Sequence, residues 1–261
     1  MTIPVLASLG MAAVLAACSS SSARDEEPSR ANDPMAKLNP GQVYMEKGVH
    51  YMEEGRYDVA LKDLTRSVEL DDDNSDAYNA LGVLYQKLDD PAHADASFKR
   101  ALSIKPDNFA ARNNYGRFLC SQNQPAEAFA QFQQVIATKL YNQPWIPLTN
   151  AGVCANSTGR KTDAEAYLRQ ALEVEPDFPP ALLEMAKLSR DTRQYLSARG
   201  FLQRYFSVAG PSPESLQLGI EIETALGNGQ AAGEYSQAMR RIRTLPSRST
   251  TSTTGGSPAD H

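Results

Sequence analysis

The stretch YMEKGVHYMEEGRYDVALKDLTRSVELD (residues 44–71) can be laid against YNALGVLYQKLDDPAHADASFKRALSIKP (residues 78–106) with its glycine, alanine and large apolar positions in step. The same frame continues along the chain. Small residues recur at Gly48, Gly82, Gly116, Gly152, Ala186 and Gly219, at spacings of 34, 34, 36, 34 and 33. Twelve positions after each comes another small residue: Ala60, Ala94, Ala128, Ala164, Ala198 and Ala231. Four further on stands a large one: Leu64, Phe98, Phe132, Leu168, Leu202 and Tyr235. Pro106 and Pro176 close two of the units.

This pattern is similar to the tetratricopeptide repeat, a helix–turn–helix unit of 34 residues. The small positions let two helices approach closely, and the large residues fill the space between them. Proline stops the second helix because it cannot continue the backbone ladder. The expected fold is all-α, a superhelical solenoid of about six such repeats over residues 41–245. Repeat 3 lacks the closing proline and runs into LYNQPWIP (residues 140–147), an insertion of two residues. The last two repeats are looser, with Ser189 where a large residue is usual; terminal units of such stacks are atypical because they cap them.

The ends differ from the middle. Residues 1–17 carry no charged side chain, and MTIPVLASLGMAAVLAAC ends an apolar run in small residues, the form of a signal peptide. LAAC (residues 15–18) resembles the lipobox of bacterial lipoproteins, although no Lys or Arg precedes the apolar run. That resemblance implies a diacylglyceryl group on the Cys18 thiol, cleavage before it, and acylation of the new amine. Ser19 in that position resembles an outer-membrane sorting signal. Residues 18–40 then read as a lipidated flexible tether. Like the polar tail 246–261, they are too poor in apolar side chains to offset the entropy of ordering.

Cys120 and Cys154 fall in the first helices of consecutive repeats, two positions apart in the frame. In an oxidising compartment, to which Cys18 would route the chain, they are placed to form a disulfide. The other reading is two buried thiols acting as small hydrophobes.

NNYGRFLC (residues 113–120), NAGVC (150–154) and ARGFLQRY (198–205) look like the type IV pilus biogenesis and stability lipoproteins, the PilF/PilW pilotins. The resemblance covers the lipobox and all six repeats. It implies a lipid-anchored protein on the periplasmic side of the outer membrane. Its partners would be a pilus secretin subunit and the membrane itself, through the acyl chains on Cys18. A lipoprotein adaptor for another periplasmic partner, such as a cell-wall synthase, and a soluble repeat co-chaperone remain the alternatives.

The chain carries no catalytic signature of the G-x-S-x-G, phosphate-loop or H-E-x-x-H kind, and no cofactor, metal or small-molecule substrate is expected. Its net charge of −5 gives no footprint for nucleic acid. The acidic run ELDDDNSD (residues 69–76) lacks the glycine and distal glutamate of a calcium loop and sits at a repeat junction. Recognition should therefore fall to the inner face of the stack, lined by the first helix of each repeat. There the candidate residues are Met45, Val49 and Met52 in repeat 1, Asn79, Val83 and Gln86 in repeat 2, and Asn113, Arg117 and Cys120 in repeat 3; the other reading has the methionines packing on residues 35–44 or the next helix and the asparagines on a solvated surface. Tyr51, with Gly48, is expected on a different face of its helix from the methionine stripe.

Overall fold

A methyl group placed on any of the five repeat glycines would collide with the large residue sixteen positions later. In the computed structural model, which describes residues 39–244, an added Cβ falls 2.6 Å from Leu64 at Gly48 and 2.7 Å from Phe98 at Gly82. It falls 2.6 Å from Phe132 at Gly116, 2.7 Å from Leu168 at Gly152 and 2.9 Å from Tyr235 at Gly219. The repeat period is thus a set of helix crossings in which a bare backbone meets a large side chain.

Among the described residues these crossings pair twelve helices into six hairpins. They are α1 (Pro40–Glu53) with α2 (Tyr57–Leu70), α3 (Ser75–Lys87) with α4 (Pro91–Ile104), and α5 (Phe109–Ser121) with α6 (Pro125–Ile136). There follow α7 (Trp145–Ser157) with α8 (Lys161–Val174), α9 (Pro179–Asp191) with α10 (Tyr195–Val208), and α11 (Pro213–Ala225) with α12 (Gly229–Thr244). The expected signal peptide, Cys18, most of the expected tether and the polar tail lie outside the described residues.

Helix starts follow the local chemistry. Asn74, Asp90 and Asn108 each accept a hydrogen bond from a backbone N–H of the first turn they cap. Pro91, Pro125, Pro179 and Pro213 occupy first turns, where their missing N–H costs nothing. The acidic run at 69–76 is therefore the joint between α2 and α3. Inside each hairpin the turn contains one residue of positive φ: Gly55, Asp89, Asn123, Gly159, Arg193 and Gly227. Arg193, at φ 61°, is the one among them with a long side chain and no short polar group to favour that conformation.

Each odd-numbered helix packs on its hairpin partner, on the preceding even-numbered helix and on the next odd-numbered helix. The odd-numbered helices thus form the tighter, inner layer. One core cluster runs from α4 to α9 and includes Phe98, Tyr115, Leu119, Phe132, Leu168 and Met185. Tyr115 and Leu119, either side of Gly116, are both buried. A separate cluster centred on Leu202, Leu218 and Ile222 joins the last two repeats.

Candidate functional site

The middle of the inner layer is clamped without net charge. Cys120 on α5 and Cys154 on α7 are joined by a disulfide, with a Cα–Cα distance of 5.8 Å. Cys154 is buried and Cys120 half-buried, with the Ser157 hydroxyl oxygen 3.7 Å from the Cys120 sulfur. Beside the bridge runs a ladder of side-chain amides: Asn114 donates to Asn79 at 3.0 Å and Asn150 donates to Asn113 at 2.9 Å. In every rung the donor stands two residues before its repeat glycine and the acceptor three before the previous one. On the far side of α5, Tyr115 donates to Asp95 of α4 at 2.8 Å. Burial first, and then this hydrogen bond and the aspartate charge, push its phenol well above the usual range.

Two cavities open over this clamp and share Arg117. One, of about 440 Å³, lies between α5 and α7 and is bounded by Arg117, Ser121, Asn150, Val153, Ser157 and the disulfide. The other, of about 200 Å³, lies between α3 and α5 and is bounded by Val83, Gln86, Lys87, Asn114 and Arg117. No acidic residue lines either one. Arg117 is exposed and makes no ion pair or hydrogen bond with the described residues. Lys87 lies 5.9 Å above the Tyr57 ring and has no carboxylate partner.

The residues expected from the sequence to line this face divide. Val83, Gln86, Arg117 and Cys120 do line the cavities. Asn113 does not offer its side chain to a groove: it is buried, 6% exposed, and turns toward α7 to accept the Asn150 bond. Asn79 is half-buried and serves Asn114 in the same way. Met45, Val49 and Met52 are half-buried and pack on the cluster of Ala60, Leu64, Ala80, Leu81 and Leu84. Tyr51 also packs on that cluster, which draws residues from both α2 and α3. One helix against two neighbours has too little circumference for a wholly free stripe. Lys87, Ser121, Val153 and Ser157 were not singled out in the sequence. They occupy positions one and five after the repeat glycine, the signal that following Val83 and Arg117 into repeat 4 would have supplied.

Between α9 and α11 the same inner face carries a cavity of about 210 Å³ whose charged lining is paired within the molecule. Lys187 holds Glu184 at 2.6 Å and Glu214 at 2.5 Å, and Arg190 binds Glu221. Burial lowers the Lys187 ammonium, but the hydrogen bonds it donates to both glutamates outweigh it and raise the group overall. Burial likewise raises the Glu221 carboxyl, and hydrogen bonds from Gln217 and Arg190 more than reverse it, leaving a net lowering. Behind them Arg199 of α10 makes a two-pronged bond, 2.7 and 2.5 Å, to the buried Glu223 of α11. Among the described residues no group of three or more His, Cys, Asp or Glu side chains is placed to hold a metal ion.

Comparison with known proteins accords with this architecture. The family described as TPR repeat matches residues 48–89, and that described as tetratricopeptide repeat matches 75–108, 97–130 and 148–178. A solved structure titled as PilW, a widely conserved type IV pilus biogenesis factor, superposes with a TM-score of 0.70 and 35% identity. The match covers 78% of this chain and 94% of that one. This chain belongs to that family of type IV pilus biogenesis tetratricopeptide-repeat proteins. The pilus assembly protein PilF of Pseudomonas aeruginosa is 26% identical over 200 residues, 77% of this chain and 79% of that protein. A solved structure of Pseudomonas aeruginosa pilF superposes with a TM-score of 0.66 at 27% identity, covering 78% of this chain and 91% of that one. Repeats of this kind in a pilus biogenesis factor imply protein–protein interaction.

Proposed function

We propose that this protein is an outer-membrane lipoprotein of the pilotin type. Acyl chains on Cys18 hold it at the membrane facing the periplasm, and its inner groove binds a subunit of the pilus secretin and supports that subunit's localisation and assembly. The observation that carries the reading is the open groove across three repeats of a type IV pilus biogenesis family member. In the cavity between α9 and α11 the cations are paired with carboxylates, whereas Arg117 and Lys87 here have no carboxylate partner. The lipobox-like LAAC supplies the location: each buried CH₂ of an acyl chain contributes about 0.8 kcal/mol, so several chains anchor a protein that has no spanning helix among its described residues. Recognition and address thus lie in different parts of the chain.

The test separates the two. Cys18→Ala should leave the repeats folded and able to capture the secretin subunit from detergent extracts, while the protein leaves the outer-membrane fraction and the secretin multimer is lost from it. A Cys18→Ala protein that still fractionates with the outer membrane would sink the anchoring claim. A wild-type protein that captures some other periplasmic protein and no secretin would replace the partner.

A further inference from the structure

The chain has 31 acidic and 26 basic residues, yet the two cavities over α3, α5 and α7, which share Arg117, are bounded by an arginine and a lysine and by no acid. In the cavity between α9 and α11 the cations Lys187 and Arg190 are neutralised within the molecule. Arg117 holds the same place in its repeat as Lys187, one residue after the small position, and is left without a counter-charge. Asn114 and Asn150 each spend one amide hydrogen on the ladder, and no other protein hydrogen bond engages either side chain. A second N–H and a carbonyl oxygen on each therefore remain to be satisfied from the cavity side. A paired donor and acceptor of this kind matches the main chain of an extended peptide.

We propose that this groove takes an extended, acidic segment of a partner protein. Its carboxylates would meet Arg117 and Lys87, and its backbone the amides of Asn114 and Asn150. First helices spaced by about 8–10 Å place the outer two of three about 20 Å apart, which about six or seven extended residues span. The inference rests on the reading of the inner face as the partner site, but not on the partner's being the secretin. Arginine suits the role because its planar fork can grip a carboxylate with two hydrogen bonds.

The full chain, purified with its disulfide intact, is to be probed against an array of random peptides about seven residues long, the length that spans the groove. The bound set should be enriched in Asp and Glu. Arg117→Glu should weaken binding to those peptides by at least about tenfold, and reversing Lys87 as well should shift selection toward basic peptides. Both residues are exposed, so circular dichroism and melting should be unchanged; Arg117→Gln, which adds no charge, should weaken binding in the same direction. A bound set with no acidic enrichment, or acidic peptides held equally by the Arg117→Glu protein, overturns the proposal. So does binding confined to anionic phosphatidylglycerol vesicles, which would make the patch a lipid contact. If acidic peptides are selected and no secretin is captured, the partner named above fails and the groove chemistry stands. If the secretin is captured by wild type and Arg117→Glu alike, the reverse holds.

Discussion

Repeats 3 and 4 and repeats 5 and 6 use the same helix geometry and are fastened by different chemistry. The first pair is joined by the Cys120–Cys154 bond and by neutral amide rungs. The second is joined by Lys187–Glu214, Arg190–Glu221 and Arg199–Glu223. Where the clamp is covalent and neutral, the cation beside the repeat glycine, Arg117, has no counter-charge among the described residues. Where the clamp is ionic, the cation at that same position, Lys187, is occupied. On the proposal that Arg117 meets a partner carboxylate, one register position serves recognition in one junction and cohesion in the other, according to what else holds the helices together.

Breaking the covalent clamp should have the largest effect. The bridge closes a separation of 34 residues, for which the chain-entropy model gives about 3–4 kcal/mol. Cys120→Ser with Cys154→Ala should lower denaturant stability by that order, by the same amount at low and high salt. A salt-dependent loss would show that charge also holds this junction.

Next comes the buried ion pair. Arg199→Met leaves the Glu223 carboxylate buried with no counter-charge, a costly state. Amide exchange across α11 and α12 should accelerate while α5 to α8 keep their protection. Uniform acceleration would mean that the two halves unfold as one unit, contrary to the nearest-neighbour character of repeat stacks.

Acid should act more gently at the same junction. The Glu221 carboxyl is lowered in the folded protein, so its contribution is present above the unfolded carboxylate range and is lost as pH falls through the lowered folded value. The pair is partly exposed, 33% and 39%, and solvent screening limits the contribution to under about 1 kcal/mol. Lys187 is raised, so its share is full below the unfolded lysine range and is lost as pH rises through the raised folded value. Protection of α11 should therefore weaken on acidification, and again in strong alkali, before protection of α7. Arg190→Met should flatten the acid limb.

The smallest effect is a gain. Arg193 sits in the left-handed region at φ 61°, so Arg193→Gly should raise stability by about 0.5–1 kcal/mol in denaturant titrations. No change would mean that contacts of the arginine side chain offset the backbone strain.

The fold was legible because its signal is a contact repeated at fixed spacing: Gly82 against Phe98 reads the same as Gly116 against Phe132. The face that each polar residue turns outward was harder to read. Asn113 and Asn114 are neighbours in sequence but about 100° apart around the helix. One meets α7 and the other meets α3, and nothing in NNYGRFLC says which side a neighbouring helix will cover. The methionine stripe was open to two readings for a related reason: its side chains are half-buried and pack on a cluster drawn from α2 and α3, which spacing along α1 does not announce. The ionic junction was hidden because its partners, such as Arg190 and Glu221, lie 31 residues apart and belong to no motif.

The division of labour between Arg117 and Lys187 is tested most directly by reversing each charge and measuring, on one preparation of each protein, melting temperature and affinity for an acidic peptide selected by the wild type. Arg117→Glu should melt like wild type and lose the peptide. Lys187→Glu crowds a third carboxylate beside Glu184 and Glu214, so it should melt lower and, where folded, keep the peptide. Equal peptide loss in both proteins, or a lower melting temperature for Arg117→Glu with its binding intact, would contradict the account.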